Sequence, residues 1–197
     1  MANIQIRLAT EADAEAIAAI YGEHVIEGES ALEVEPPTGH EMACKICECR
    51  EFYPFLVCEI AGEVAGYAYA CRHLEGEAFA WGASAATYVS KEMLGRGIGC
   101  ALLDALEETL RLMGVVNLYS VVTHSTKSQY FHQARGFSEV GRLREAAYKA
   151  GQWRDIAYYE KSLALHEESP QAVRPVGEVD ARRLEKVFEK AGRRIKG

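Results

Sequence analysis

Apolar and polar residues alternate from Ile4 to Leu8, a period-two pattern that predicts a strand. Thr10, with Asp13 three residues on, forms a cap for a helix predicted over Ala14 to Val25. Glu35-Pro36-Pro37-Thr38 breaks the chain, and Thr38 is placed to cap a second helix from Gly39 to Tyr53, stopped by Pro54. Apolar runs at Phe55 to Ile60 and Val64 to Cys71, separated by Ala61-Gly62-Glu63, read as a hairpin, and a longer third strand is expected over Ala78 to Val89. Ala101, Leu102, Ala105, Leu106, Leu110 and Met113 then keep helical spacing in a helix expected from Cys100 to Met113 and ended by Gly114. A β-branched strand over Val116 to Val122 follows, then a short helix from Ser125 to Arg135 that Gly136 terminates. Phe137 to Tyr148 and Trp153 to Leu163, turning at Ala150-Gly151, close the pattern as a final hairpin.

Between the third strand and the long helix stands Leu94-Gly95-Arg96-Gly97-Ile98-Gly99. Glycines at a strand-to-helix junction let the backbone approach an anion, and the helix adds unpaired amides and the positive end of its dipole. One reading is therefore a phosphate cradle; the other is a turn whose glycines only satisfy positive φ. The Walker pattern GxxxxGK[ST] is absent, and a dinucleotide fingerprint belongs near the start of a parallel sheet, not after several antiparallel-looking strands.

The length of 197 residues predicts one domain. With 49% apolar and 26% charged residues the composition is ordinary, and a net charge of −7 argues against a partner that is nucleic acid. The N-terminus lacks a basic segment followed by an apolar one, and no stretch of about 18 apolar residues occurs, so a cytoplasmic protein with no membrane partner is expected. Six cysteines then read as reduced thiols. The triplet Cys44, Cys47, Cys49 has no second CxxC or HxxxH at zinc spacing, so buried or half-buried thiols are expected and no metal. From Ala164 the composition turns polar. Leu184, Val187, Phe188 and Ala191 keep helical spacing within Asp180 to Lys196. The chain thus divides into a domain over 1–163 and a charged extension over 164–197, helical or partly disordered, either solvated and loosely docked or bracing a partner.

Several segments share their order with a known family. YVSKEMLGRGIGCALLDALEE, FHQARGF and AAYKAGQWRDIAYYEKSL, with weaker agreement in IRLATEADAEAIAAIY, EPPT and YPFLVCEIAGEVAGYAYA, resemble GNAT N-acetyltransferases, and within them the phosphinothricin acetyltransferase branch. The resemblance spans about residues 3 to 163. It implies an α/β (α+β) GNAT fold, with a mixed, mostly antiparallel central sheet flanked by helices. It implies acetyl-CoA as co-substrate, a small-molecule amine as acceptor and a homodimer. By position, Leu94, Gly95, Arg96, Gly97, Ile98, Gly99 and Cys100 would hold the pyrophosphate, Thr87, Tyr88 and Val89 the pantetheine arm, and Ser125 and Ser128 further cofactor contacts.

Acetyl transfer from a thioester needs a neutral amine, a place for the oxyanion and a proton for the departing thiolate. Backbone N–H groups near Tyr88 and Val89 suit the oxyanion. His132, four residues before Gly136, stands where the resembled branch carries a histidine, and imidazole can take or give a proton near pH 7. Family members carry a glutamate base three residues after the strand tryptophan; here Trp81-Gly82-Ala83-Ser84 puts Ser84 there. His132, ordered water or a carboxylate such as Glu27 would then substitute, or turnover is slow. Leu94 replaces a usual Gln or Arg, and Ser125 a usual asparagine. The resemblance puts the acceptor between the Glu27 to Thr38 connection and a hairpin turn bearing Tyr148, Lys149 and Trp153, whose aromatics either wall the pocket or merely pack. Two functions follow as expectations. One is direct N-acetylation of an amino-acid-like substrate of the phosphinothricin or methionine sulfoximine/sulfone type; the other is an acyl-CoA-binding sensor with little turnover.

Overall fold

The computed structural model describes residues 3–26 and 31–196. Strand β1 (Ile4–Leu8) leads into helix α1 (Ala14–Ile26), and α2 (Gly39–Arg50) follows. Both predicted caps form: Thr10 with Asp13, and Thr38 with Glu41, are reciprocal capping boxes that satisfy two orphan donors each. Strands β2 (Phe55–Ile60), β3 (Glu63–Arg72) and β4 (Gly82–Val89) form an antiparallel meander; α3 (Ile98–Met113), β5 (Asn117–Thr123) and α4 (Thr126–Ala134) come next. The hairpin β6 (Ser138–Lys149) and β7 (Gln152–Ser162) precedes α5 (Ala181–Gly192).

The seven strands make one sheet in the order β1-β2-β3-β4-β5-β7-β6. Every neighbouring pair is antiparallel except β4 and β5, which run parallel. Their ladder is short: Gly82, Ala83 and Ser84 face Asn117, Leu118 and Tyr119. β4 continues to Val89 and β5 to Thr123, and no further ladder pair joins them among the described residues. A gap therefore opens in the middle of the sheet, and its apex lies at Ser84 and Tyr119.

Helices cover both faces. On one, Leu102, Leu106 and Leu110 of α3 are fully buried with Leu56, Ala68, Ala83 and Leu118; each such leucine contributes about 1.5–3 kcal/mol of transfer free energy. On the other, Ile17 and Tyr21 of α1 and Met42 and Ile46 of α2 pack on Phe55, Val57 and Tyr67. Gly114 (φ 99°) ends α3 by donating to the Leu110 and Arg111 carbonyls.

α5 packs against α3 and β1. Asp180 caps it by accepting from the Arg183 N–H, and Leu184, Ala191 and the following Ile195 are buried in the same core as α3. Two polar contacts tie its end to the glycine loop: Lys196 N–H donates to the Arg96 carbonyl at 3.0 Å, and Arg194 meets Asp104 at 2.5 Å.

The structure departs from sequence expectation in several places, among them the end of α2 at Arg50 rather than Tyr53. The third strand does not begin at Ala78: Glu77 to Phe79 form a single 3-10 turn, because β3 has no residue left to pair beyond Arg72, which faces Ala83. The long helix begins at Ile98, taking two residues of the presumed loop. Cys44 and Cys47 are exposed rather than buried, because α2 turns Met42 and Ile46 inward instead; Cys49 is half-buried and donates to the Ala70 carbonyl at 3.0 Å. All six thiols are free, and no group of three His, Cys, Asp or Glu side chains that could hold a metal occurs among the described residues. No helix there is long and apolar enough to cross a membrane.

Candidate active site

A groove of about 590 Å³ follows the gap. Its walls are the outer half of β4, the first turn of α3, Ser120, Val121 and Val122 of β5, and Lys127, Ser128, Phe131 and His132 of α4. Of the residues expected at a cofactor, Thr87, Tyr88, Val89, Leu94, Gly95, Gly97, Ile98, Gly99, Cys100 and Ser128 line it. Arg96 and Ser125 do not: the Arg96 carbonyl holds the C-terminal segment, and the Ser125 hydroxyl caps α4 by accepting from the Ser128 N–H at 3.2 Å.

The glycines divide their roles. Gly95 (φ 80°) and Gly97 (φ 83°) occupy the left-handed region, so the turn reading holds for them. Gly99 is helical, and its hydrogen faces the groove wall: a Cβ there would lie 3.4 Å from Val89 Cγ2 and 3.9 Å from Thr87 Cγ2. Gly97, the N-cap of α3, offers no side-chain cap, and the first turn carries no acidic residue. Its first amides therefore stay unneutralised at the groove floor, the arrangement that favours a phosphate.

β4 supplies polar backbone to the same space. The Ser90 N–H donates to the Ala65 carbonyl, so with the unbroken register each second residue back, Tyr88 and Ala86, turns its N–H and C=O toward β3. Those of Thr87 and Val89 face the gap, where β5 has departed. His24 of α1 already uses one, its Nε2 donating to the Val89 carbonyl at 2.9 Å. The backbone N–H groups turned to the gap are thus those of Thr87 and Val89; the Tyr88 N–H is spent on the ladder.

His132 is buried, its ring stacked on Tyr159 at 4.5 Å. Its Nδ1 lies 2.7 Å from the Ser128 carbonyl and must donate to it, so Nε2, 2.9 Å from Ser120 Oγ, accepts from that hydroxyl. Burial holds its pKa below the usual histidine value, against the opposing effect of the Ser128 bond, and keeps the ring neutral at pH 7. The ring lines the groove, but both its nitrogens are engaged, Nε2 by the Ser120 hydroxyl that also lines it.

Ser84 lies outside the groove. Its hydroxyl meets His73 Nδ1 at 2.9 Å, just past the end of β3. The other expected residues also separate. Glu27 lies outside the described residues. Lys149 donates to the Ala31 carbonyl at 2.8 Å, pinning the hairpin turn to the α1–α2 connection. Tyr148 and Trp153 lean on each other at 5.3 Å, the two residues 59% and 60% exposed, and neither is among the residues lining this groove.

On the α1–α2 side of the sheet a tyrosine cluster surrounds Tyr88, which itself lines the groove. Tyr67, Tyr69 and Tyr88 share one face of the sheet and Tyr21 meets Tyr88 edge-on at 4.8 Å. Tyr21 donates to Glu33. Lys45 of α2 donates to the Tyr69 hydroxyl at 2.9 Å, with its ammonium 4.4 Å from that ring's centroid.

Comparison with known proteins settles the family. A family model described as an acetyltransferase (GNAT) domain matches residues 6–157. The chain belongs to the GNAT acetyltransferase family. It is 30% identical over 177 residues to a phosphinothricin N-acetyltransferase of Streptomyces viridochromogenes, covering 89% of this chain and 96% of that one. An L-methionine sulfoximine/L-methionine sulfone acetyltransferase of Pseudomonas paraeruginosa is 30% identical over 165 residues, covering 82% and 95%. Among solved structures, a GNAT superfamily phosphinothricin acetyltransferase of Sinorhizobium meliloti, in complex with AcCoA, superposes with a TM-score of 0.78 at 30% identity over 90% of this chain and 96% of that one. The protein is an N-acetyltransferase by family, and its mostly antiparallel, split sheet is the GNAT fold.

Within this GNAT frame, sequence reasoning missed His24, Ser120, His73 and Lys45. His73 and Lys45 fall outside every quoted motif; only strand register brings His73 to Ser84 and only helix packing brings Lys45 to Tyr69. Gly66 was missed too: a Cβ there would lie 2.9 Å from the Tyr88 carbonyl oxygen, so β3 and β4 approach this closely only with glycine.

Proposed function

We propose that this protein acetylates the amino group of a small amino-acid-like substrate by direct transfer from acetyl-CoA. The observation that carries the reading is the gap between β4 and β5, which joins a groove ending in an uncapped helix N-terminus to a tyrosine-lined face on the other side of the sheet. The first turn of α3 would hold the pyrophosphate, and the free backbone groups of Thr87 and Val89 would bind the arm as an added strand does. Bound there, acetyl-CoA supplies an activated acyl group.

The amine enters from the tyrosine face. Lys45 offers a cation to the substrate's acidic group, and Tyr21, Tyr69 and Tyr88 supply apolar walls with polar tips. Lys45→Met should raise KM for carboxylate-bearing amines by about tenfold, the equivalent of ~1.4 kcal/mol, while kcat changes little. Steady-state kinetics with amino acids and their amides checks this; equal losses for both would remove Lys45 from carboxylate recognition.

On the groove side, Ser120 and His132 act as one unit. The hydroxyl passes the amine's second proton to Nε2, and the imidazolium so formed returns it to the departing thiolate. His132→Ala and Ser120→Ala should each lower kcat about 100-fold with acetyl-CoA affinity retained. Stopped assays of CoA release beside calorimetric titration separate the two effects, and wild-type turnover in either variant contradicts the role.

A further inference from the structure

An amine bound as ammonium has two protons to lose, and the Ser120–His132 pair handles only the one that ends on sulfur. The other must leave before the nitrogen can attack, and on the tyrosine face. At the apex of the gap, on that face, stands a second histidine with the geometry of a base.

Ser84 lies opposite Cys71 in the β3–β4 register, as Ala86 lies opposite Tyr69 and Tyr88 opposite Tyr67. Ser84, Ala86 and Tyr88 therefore share the face on which α1 and α2 sit, with Ser84 about 7 Å along the strand from Ala86. Ser84 is also the last β4 residue paired with β5, where Tyr119 faces it. His73 closes this corner: its ring stacks on Tyr119 at 3.8 Å with 14° between planes, and its Nδ1 is 2.9 Å from Ser84 Oγ. Two contacts on separate strands fix both the position and the plane of the ring.

We infer that His73 is the proton acceptor for the incoming ammonium, working through the Ser84 hydroxyl, in the acetyl transfer proposed above, on which this inference rests. With Nε2 protonated, Nδ1 accepts the Ser84 O–H and leaves a lone pair of that oxygen turned to the gap. The ammonium gives one proton to Ser84 Oγ, through water, as the Ser84 proton moves to Nδ1. The products are a neutral amine and an imidazolium, which releases its proton to solvent through Nε2. The proton count balances: one to solvent through His73, one to the thiolate through His132.

The surroundings keep His73 ready for this. The groups about it are Ser84 from β4, Tyr119 from β5 and, on its own segment, Cys71, Arg72 and Glu75, the last two paired at 3.3 Å. Burial lowers its pKa from the ordinary 6.5, so the ring is neutral and able to accept at pH 7. As pH falls through that lowered value the ring is protonated and the relay stops.

His73 acts through Ser84, so its test must read more than lost activity. His73→Gln keeps a hydrogen-bonding partner for Ser84, and His73→Phe keeps the stack on Tyr119; neither can hold the proton. Both should bind acetyl-CoA as the wild type does, lose about 100-fold in kcat at pH 7, and recover toward wild type above pH ~9, where the amine sheds its own proton. In both, kcat should keep rising with pH toward the amine's own pKa, whereas the wild type levels off once His73 is neutral. Undiminished kcat at pH 7, or an equal loss at every pH, overturns the proposal while leaving the acetyltransferase reading intact. A wild type that binds acetyl-CoA but releases no CoA with any amine overturns that reading, and this inference with it.

Discussion

Gly99→Val is expected to raise the Kd for acetyl-CoA by about 100-fold or more, the equivalent of ~2.7 kcal/mol. A Cβ at this position would touch Val89 Cγ2 at 3.4 Å, so the two further methyl groups of valine have nowhere to go except into the groove or against β4. They would cover the amides of the first turn of α3, which offers unneutralised donors to a pyrophosphate. Gly99 is helical and packs outside the main core, so the fold should survive with a Tm close to that of the parent. Gly97→Ala tests a different part of the loop. There the φ of 83° makes any side chain cost about 1 kcal/mol, and the effect should be spread between stability and affinity. Isothermal titration of both variants distinguishes them; a Gly99→Val protein with unchanged Kd would mean that the cofactor does not pass this wall.

Lys161→Met should be the most destabilising single change among the charged residues near the site. The Lys161 ammonium reaches both Glu107 oxygens and the Arg135 carbonyl, all at 2.7 Å, and the Glu107 side chain is only 5% exposed. This contact ties α3, β7 and the end of α4 together, and α4 carries His132. Without the ammonium, Glu107 is left with Arg111 at 3.5 Å among the described residues. Stranding a buried carboxylate costs about 3–5 kcal/mol, which for a chain of this size lowers Tm by roughly 6–20 °C. Lys161→Met/Glu107→Leu removes both charges and should regain most of the loss. Thermal unfolding of the single and double variants measures it, and a single variant within 2 °C of the parent would show that the pair is not structurally important.

The sequence was most readable where local chemistry dictates local structure. The capping pairs Thr10–Asp13 and Thr38–Glu41, the α3 spacing ending in Gly114, and Gly95 and Gly97 each solve a problem posed within a few residues. These set the element order and placed the glycine loop. Strand starts were less readable: Ala78 to Trp81 is as apolar as a strand, but the ladder on β3 has ended, and pairing is a non-local fact. The same cause hid half of the site. His73 comes to Ser84 through the β3–β4 register, Ser120 to His132 through the docking of α4, and Lys45 to Tyr69 through the seating of α2. Conversely, Tyr148 and Trp153 carry a motif, yet the hairpin turns them to solvent and Lys149 to a backbone carbonyl. Residue type and spacing pointed to a glycine loop suited to an anion; only the folded sheet showed which side chains gather around the gap between β4 and β5.

The central claim is that an acetyl-CoA groove and an amine-binding face meet through the gap between β4 and β5. Its most direct test is thiol release from acetyl-CoA with the purified protein across a panel of amino acids, methionine sulfone and sulfoximine, phosphinothricin, polyamines and amine-free controls, with acetyl-CoA binding measured on the same samples. The account predicts that CoA release depends on the amine, that carboxylate-bearing amines are preferred, and that one acetylated amine forms per CoA released. Tight acetyl-CoA binding with no amine-dependent release from any member of the panel would contradict it and leave a protein that holds acyl-CoA without transferring its acyl group.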